Sequence, residues 1–234
     1  MKLLAIDTST DYLSLALTRG GKVIAKVHRK LPMMHSTLLV PTIASILRKA
    51  GMKLAGLDGF CVSVGPGSFT GLRIGVTTVK GLAYVTGKPI VAVPTLDVIA
   101  ANARRHVGII CPVLDARKGK VYACIYRSDG EKLRRLSNYL LLPLPELAEK
   151  LKAHENVMLM GDMIERCSNP CHSNQVRLTW LENMPLAKIF SKWHPRAETV
   201  ARYGIEQFRK GRFVKASALE PMYLYSRECD IKGY

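Results

Sequence analysis

Two short runs, Asp7-Thr8-Ser9-Thr10 and Asp115-Ala116-Arg117, each set a carboxylate beside hydroxyl or cationic neighbours at the end of an apolar stretch. That combination could hold a phosphate or Mg²⁺, and it is also the composition of an ordinary turn, in which Asp and Ser bond the local backbone. A third run, Gly65-Pro66-Gly67-Ser68-Phe69-Thr70-Gly71, could cradle an anion, because glycines admit close backbone approach and a helix amino terminus offers unpaired N–H groups. Its spacing is not that of a phosphate loop: counting five on from Gly65 reaches Thr70, and no lysine follows the second glycine. The spacing favours a tight turn and a capped helix packed closely through Gly71 and Gly75.

Other chemistry-bearing groups are sparser. Cys167, Cys171 and His172 are three soft ligands, but a structural zinc normally takes four in paired clusters, and no second pair stands out. A loop with free thiols and no metal is the expectation. His35, ahead of a helical segment, reads either as a catalytic imidazole or as a cap or packing residue. Glutamate is absent before Glu131, which leaves Asp7, Asp11, Asp58 and Asp97 as the only carboxylates of the first half.

The 234 residues carry 35 Lys and Arg against 18 Asp and Glu, a net charge of +17. The excess divides evenly about Asn102, +8 before and +9 after, so it belongs to folded surface and not to a tail. Clusters at Arg104-Arg105-His106, Arg117-Lys118-Lys120, Lys132-Arg134-Arg135 and Arg209-Lys210-Arg212-Lys215 read singly as solvated faces. Together they suggest a polyanion partner, although no helix-turn-helix, zinc finger or RNP signature accompanies them. With 48% hydrophobic residues and mean hydropathy +0.07 the chain is globular. Its longest uncharged stretch, Leu31 to Leu47, holds two prolines and is too short to span a bilayer. Asp7 interrupts the apolar start, so no secretory signal is read and a cytoplasmic protein with reduced cysteines is expected.

These groups need elements to hold them. The pattern predicts a three-strand meander over Leu3-Ile6, Tyr12-Thr18 and Lys22-His28, then a helix from Ser36 to Ala50 in which Pro41 fits only near the first turn or at a bend. A strand Leu57-Val64, a glycine turn and a second helix capped by Ser68 or Thr70 and running to about Val85 follow. Then come a strand Ile90-Val93, a helix from Thr95 to about Arg104, and strands Gly108-Leu114 and Lys120-Arg127. A helix Pro145-Lys152, a strand Val157-Met160, a late helix Arg196-Arg209 and an extended segment after Pro221 complete the reading. The strand-Asp-turn-strand pattern occurs at both Asp7 and Asp115, which suggests two related lobes.

The chain resembles the TsaB (YeaZ) family. The resemblance rests on Leu4-Ala5-Ile6-Asp7-Thr8-Ser9, on His35 with Leu38-Leu39 and Pro41, on Gly65 through Gly75, on Asp115-Ala116-Arg117-Lys118-Gly119-Lys120-Val121-Tyr122, and on Pro221-Met222-Tyr223-Leu224. These landmarks span nearly the whole chain; Glu146 to His194 contributes little. The resemblance implies an α/β, two-lobed actin/Hsp70-like (ASKHA) fold with mixed sheets and flanking helices. It implies an N-terminal lobe over 1–104 completed by a late helix near 196–211, a C-terminal lobe over 105–195 and a tail over 212–234.

For function, the resemblance implies a non-catalytic scaffold in tRNA threonylcarbamoyladenosine synthesis. Such a subunit binds the paralogous transferase TsaD, which modifies the adenosine next to the anticodon of ANN-decoding tRNAs, and the ATPase TsaE joins the complex. It needs no cofactor, and a homodimer is a further expectation when TsaD is absent. TsaD's metal histidines form a His-x3-His element, and the corresponding places here are Thr95 and Ile99. The expected docking face comprises Leu38, Leu39, Thr42, Ile43, Ile46 and Leu47 with Gly71, Ile74, Gly75, Thr78 and Leu82. Asp7, Thr8, Ser9, Ser68 and Asp115 are candidates for weak nucleotide or phosphate contacts, and Arg134, Arg135, Arg209 and Lys210 for contacts with tRNA. A kinase of the same fold, a peptidase and a generic RNA-binding module are the competing readings.

Overall fold

The meander forms as β1 (Leu3–Asp7), β2 (Tyr12–Arg19) and β3 (Lys22–Lys30), antiparallel and joined at the second turn by Gly20 and Gly21, both at positive φ. Parallel strands β4 (Gly59–Gly65) and β5 (Ile90–Pro94) extend the sheet to the order β3-β2-β1-β4-β5. β1 lies at its centre and is buried throughout, so Leu3 to Ile6 are apolar on both faces. Leu4 and Ile6 point into a core built with α1 (His35–Lys49) and α2 (Phe69–Thr86). Leu3 and Ala5 point to the opposite face, beside Val200 and Ala201 of a late helix, Ala197–Arg209. That helix approaches the sheet through Gly204, where a Cβ would lie 2.1 Å from Cys61 Sγ.

The structure, a computed structural model, describes residues 1–164 and 188–225. The chain divides into one unit of Met1–Asn102 with His194–Met222 and another beginning at Ala103, to which Trp193 and Tyr223 belong. In the second unit β6 (Val107–Arg117) pairs antiparallel with β7 (Lys120–Ala123) and parallel with β11 (Val157–Met160). β10 (Leu140–Pro143) and β12 (Lys188–Ile189) flank them in the order β10-β7-β6-β11-β12. Strand for strand this repeats the first sheet: an antiparallel pair around the first strand, with parallel strands on its other side. The echo read at Asp7 and Asp115 is this repeat, and the fold is α/β with two mixed sheets and flanking helices. α3 (Thr95–Ala100) belongs to the first unit, and α4 (Leu144–Lys152) buries Leu144, Leu147 and Leu151 against the second core. The late helix is α5.

Several boundaries differ from expectation. Pro41 lies in the second turn of α1, where its missing N–H costs one helical bond, to the carbonyl of Thr37. α3 ends at Ala100 and passes into a 3₁₀ turn, Ala101–Ala103, in which the Asn102 amide donates to His194 O at 2.9 Å. The expected strand Lys120–Arg127 is two strands, β7 and β8 (Tyr126–Asp129). Between them Ile125 bonds across to Leu136 and Ser137, which moves its backbone off the β6 ladder. β9 (Leu133–Arg135) then pairs with β8. Among the described residues no helix is long and apolar enough to cross a membrane.

Candidate functional site

At the end of β1 the chain turns through Asp7, Thr8 and Ser9, all completely or almost completely buried. Asp7 Oδ1 accepts from Ser9 N at 3.1 Å and Ser9 Oγ at 2.9 Å, a turn closed by its own side chain. Burial raises the Asp7 carboxyl above the ordinary carboxylate range, and Ser63, Ser9 and the His35 imidazole offset part of that rise. His35 is the first residue of α1; it is packed inside and does not cap the helix through its side chain.

The amino terminus of α2 closes over this turn. Ser68 Oγ accepts from Gly71 N at 3.3 Å and so caps the helix, while Ser68 N donates to Ser9 O at 2.8 Å. Thr8 Oγ1 donates to Gly71 O at 2.7 Å. A Cβ on Gly71 would stand 2.1 Å from Thr8 O, one on Gly75 2.3 Å from Thr8 Oγ1, and one on Gly67 2.4 Å from Ser9 O. The glycine-rich segment therefore cradles the protein's own turn. This is the tight turn and closely packed, capped helix that the spacing favours, and it bears on two further expectations. Asp7, Thr8 and Ser9 present no surface to a phosphate, and Gly71 and Gly75 face inward and offer no approach to a partner's backbone. Of that phosphate set Ser68 is exposed and already capping, and Asp115 is half-buried. Asp115 Oδ1 accepts from Arg117 N at 2.7 Å, supporting a turn in which Arg117, Lys118 and Gly119 all have positive φ.

The expected docking residues separate by exposure. Leu39, Ile43, Ile46 and Leu47 belong to the core, which corrects their assignment to an open face. Leu38, Thr42, Ile74, Thr78 and Leu82 are half-buried. The outward stripe of α2 is instead Phe69, Arg73, Thr77, Gly81, Tyr84 and Val85, with Tyr84 86% and Val85 81% exposed. The Arg73 guanidinium lies 3.8 Å from the Phe69 ring centroid, and a Cβ on Gly81 would meet nothing within 4 Å. On a helix Gly71 and Gly75 share one side and Gly81 lies on another, and contacts with Thr8 put the first pair inside.

Thr95 and Ile99 of α3 are completely buried. Arg134 and Arg135 are exposed on β9, and Arg209 and Lys210 are exposed at the end of α5. Cys167, Cys171 and His172 lie outside the described residues. One feature has no sequence signal, because its members are far apart in the chain: Tyr12 stacks between His28, at 4.7 Å, and His194, at 4.1 Å. Burial and then Arg196 push the His28 imidazole down to about 4 against the opposing pull of Glu198, with His194 and Lys26 adding to the depression.

A family model described as TsaD, tRNA N6-adenosine threonylcarbamoyltransferase, matches residues 29–162. The tRNA threonylcarbamoyladenosine biosynthesis protein TsaB of Bacillus subtilis (strain 168) is 33% identical over 99% of this chain and 97% of its own length. The protein of the same name from Escherichia coli (strain K12) is 30% identical over 96% and 94%. The solved structure of YeaZ from Pseudomonas aeruginosa superposes with TM-score 0.76 at 26% identity, covering 95% of this chain and all of that one. A second Pseudomonas aeruginosa structure, described as similar to peptidase YEAZ, gives TM-score 0.77 at 28% identity over 96% and 99%.

Proposed function

The chain belongs to the TsaB family of tRNA threonylcarbamoyladenosine biosynthesis proteins, and from that premise we propose that it is the non-catalytic scaffold subunit that binds and supports the TsaD transferase. The reading places it in the cytoplasm with TsaD as its direct partner and TsaE in the same complex. The reaction served is modification of the adenosine next to the anticodon of ANN-decoding tRNAs, and the chain pairs with a second copy of itself when TsaD is absent.

The observation that carries the reading is the outward stripe of α2. An aromatic ring, a valine and an outward glycine along one helix face gain nothing from water, and exposed apolar patches of this kind mark protein contacts. The half-buried Leu38, Thr42, Ile74, Thr78 and Leu82 extend the same surface towards α1. Two further facts support a subunit without chemistry of its own. Thr95 and Ile99, at the places where the resemblance puts the transferase's metal histidines, are buried side chains that cannot replace imidazole. The glycine-rich helix start is packed on Thr8 and Ser9, which disfavours both the phosphate-loop kinase and any use of Asp7 as an acid towards an external substrate.

Co-expression with TsaD tests the proposal. Tagged TsaD is expected to recover this chain in equal amount, and Tyr84→Glu, a change at an exposed position, is expected to abolish recovery without unfolding the chain. Recovery that Tyr84→Glu leaves untouched would remove α2 from the interface, and failure of the wild type to bind TsaD would overturn the proposal.

A further inference from the structure

The basic clusters read separately in the sequence are not equivalent in the fold. Arg209 ends α5 and Lys210 follows it, so these cations face the helix's negative carboxyl end and have a local electrostatic role. The arginines of the β8–β9 ribbon end no helix. β8 and β9 form an antiparallel ribbon at the sheet margin, with Arg127 directly opposite Arg134 and Tyr126 opposite Arg135. Directly opposed residues share a face with Cβ atoms about 5 Å apart, and like charges there destabilise the ladder. Both Arg127 and Arg134 are exposed, and among the described residues neither has a carboxylate within ion-pair distance.

The ribbon's own acids do not relieve the repulsion. Asp129 Oδ1 accepts from Glu131 N at 2.9 Å and Lys132 N at 2.7 Å, so it is committed to the turn, and those donors hold its carboxyl below the ordinary range. Glu131 sits in the same turn, away from the Arg127–Arg134 rung. The fold also brings in a distant cluster: Ser128 Oγ donates to Arg104 O, and a Cβ on Gly130 would lie 3.8 Å from Arg105 O. At the other end Arg135 lies over the Tyr139 ring, 4.7 Å from its centroid, which joins an aromatic face to the cations.

We propose that the β8–β9 ribbon, with Arg104 and Arg105 at its base, is an RNA-binding surface on this chain in which Arg127 and Arg134 together clasp backbone phosphate. A phosphate between two opposed arginines converts a repulsive rung into a bridged one, and guanidinium groups match phosphate geometry better than ammonium groups do. The Arg135–Tyr139 pair supplies a flat surface for an unstacked base. That the RNA is tRNA rests on the proposed function; the phosphate chemistry of the ribbon does not.

The test is binding of a tRNA transcript to the purified full-length chain without TsaD, across salt concentrations, for the wild type, Arg134→Glu, Arg127→Glu/Arg134→Glu and Arg209→Glu/Lys210→Glu. The slope of log K against log[salt] scales with the number of phosphates neutralised, and Arg127 and Arg134 share one, so the ribbon double variant is expected to lose about one from the slope. Between 50 and 200 mM salt that corresponds to roughly a three- to fourfold loss of salt sensitivity. The α5 double variant is expected to keep the wild-type slope. Arg134→Glu separates recognition from structure, because a glutamate opposite Arg127 turns repulsion into attraction: its Tm is expected to hold or rise while RNA affinity falls. A ribbon double variant with the wild-type slope would overturn the proposal. So would binding to phosphatidylserine vesicles but not to tRNA, which would assign the surface to a membrane. Capture by TsaD, measured on the same variants, is expected to be unaffected; its loss in the wild type would refute the scaffold role while leaving the RNA result to stand by itself.

Discussion

Gly71→Ala and Gly81→Leu alter two glycines of one helix, and the structure assigns them opposite signs. The alanine methyl at position 71 would lie 2.1 Å from the Thr8 carbonyl oxygen, against at least 3.4 Å for an ordinary contact. The obstacle is backbone, anchored by β1, and no rotamer change relieves it. Overpacking of this kind costs about 1–3 kcal/mol, and parting the two elements also strains the Thr8–Gly71 hydrogen bond, worth about 1 kcal/mol. A total of about 3 kcal/mol lowers Tm by roughly 6–12 °C for a chain of this size. At position 81 the added side chain meets open space, and leucine recovers most of the roughly 0.8–1.0 kcal/mol that glycine costs an exposed helix. Its Tm is expected to rise by about 2–3 °C. Thermal unfolding followed by circular dichroism gives both values, and capture by TsaD gives the functional half: Gly81→Leu is expected to be stabilised and to lose the partner. If Gly71→Ala unfolds at the wild-type temperature, the packing of α2 on Thr8 is wrong; if Gly81→Leu keeps full TsaD binding, the outward face of α2 is not the interface.

Three further outcomes follow from buried groups. The folded Asp7 carboxyl keeps its proton above the ordinary carboxylate range, so its contribution is greatest in acid and is lost as pH rises through and beyond that range. Asp7→Asn is therefore expected to stabilise the chain at pH 7 and to flatten that decline in denaturant titrations at several pH values. His28 has the opposite sense: held at about 4 against an ordinary 6.5, it favours the fold above that interval and costs stability as pH falls through it. His28→Phe keeps a ring against Tyr12, removes the titration and is expected to weaken the acid dependence between about 6.5 and 4, read as Tm against pH. Burial pushes the thiols of Cys61 and Cys111 well up, so both are expected to react with a thiol reagent only on unfolding; rapid labelling of either in native buffer would contradict the packing of their strands.

Much of the architecture is legible in the chain because its signals are local. Alternation and turn residues mark β1 to β3, Ser68 and Gly87 bracket α2, and Asp7 and Asp115 lie at or near the ends of the strands that open the two sheets. What the chain does not disclose depends on contacts between segments distant in sequence. A helical wheel groups Gly71 with Gly75 and separates Gly81, yet only Thr8 determines that the first pair is inside. The division of β7 from β8 comes from Ile125 bonding to residues 136 and 137. Leu38, Leu39, Thr42, Ile43, Ile46 and Leu47 read together as one docking face, but the core beneath α1 takes Leu39, Ile43, Ile46 and Leu47. Arg127 carries no local signal for a similar reason, since strand register alone makes it the partner of Arg134.

A scaffold subunit of the proposed kind supports the transferase and performs no transfer itself. The most direct measurement is formation of threonylcarbamoyladenosine on an ANN-decoding tRNA from the threonylcarbamoyl adenylate, using purified TsaD, TsaE and this chain in every combination. Modification is expected when TsaD and this chain are both present, to collapse when this chain is omitted or replaced by Gly81→Leu, and to be absent when TsaD is left out. Modified tRNA formed by this chain without TsaD, or turnover by TsaD and TsaE that is unchanged when this chain is left out, would contradict it.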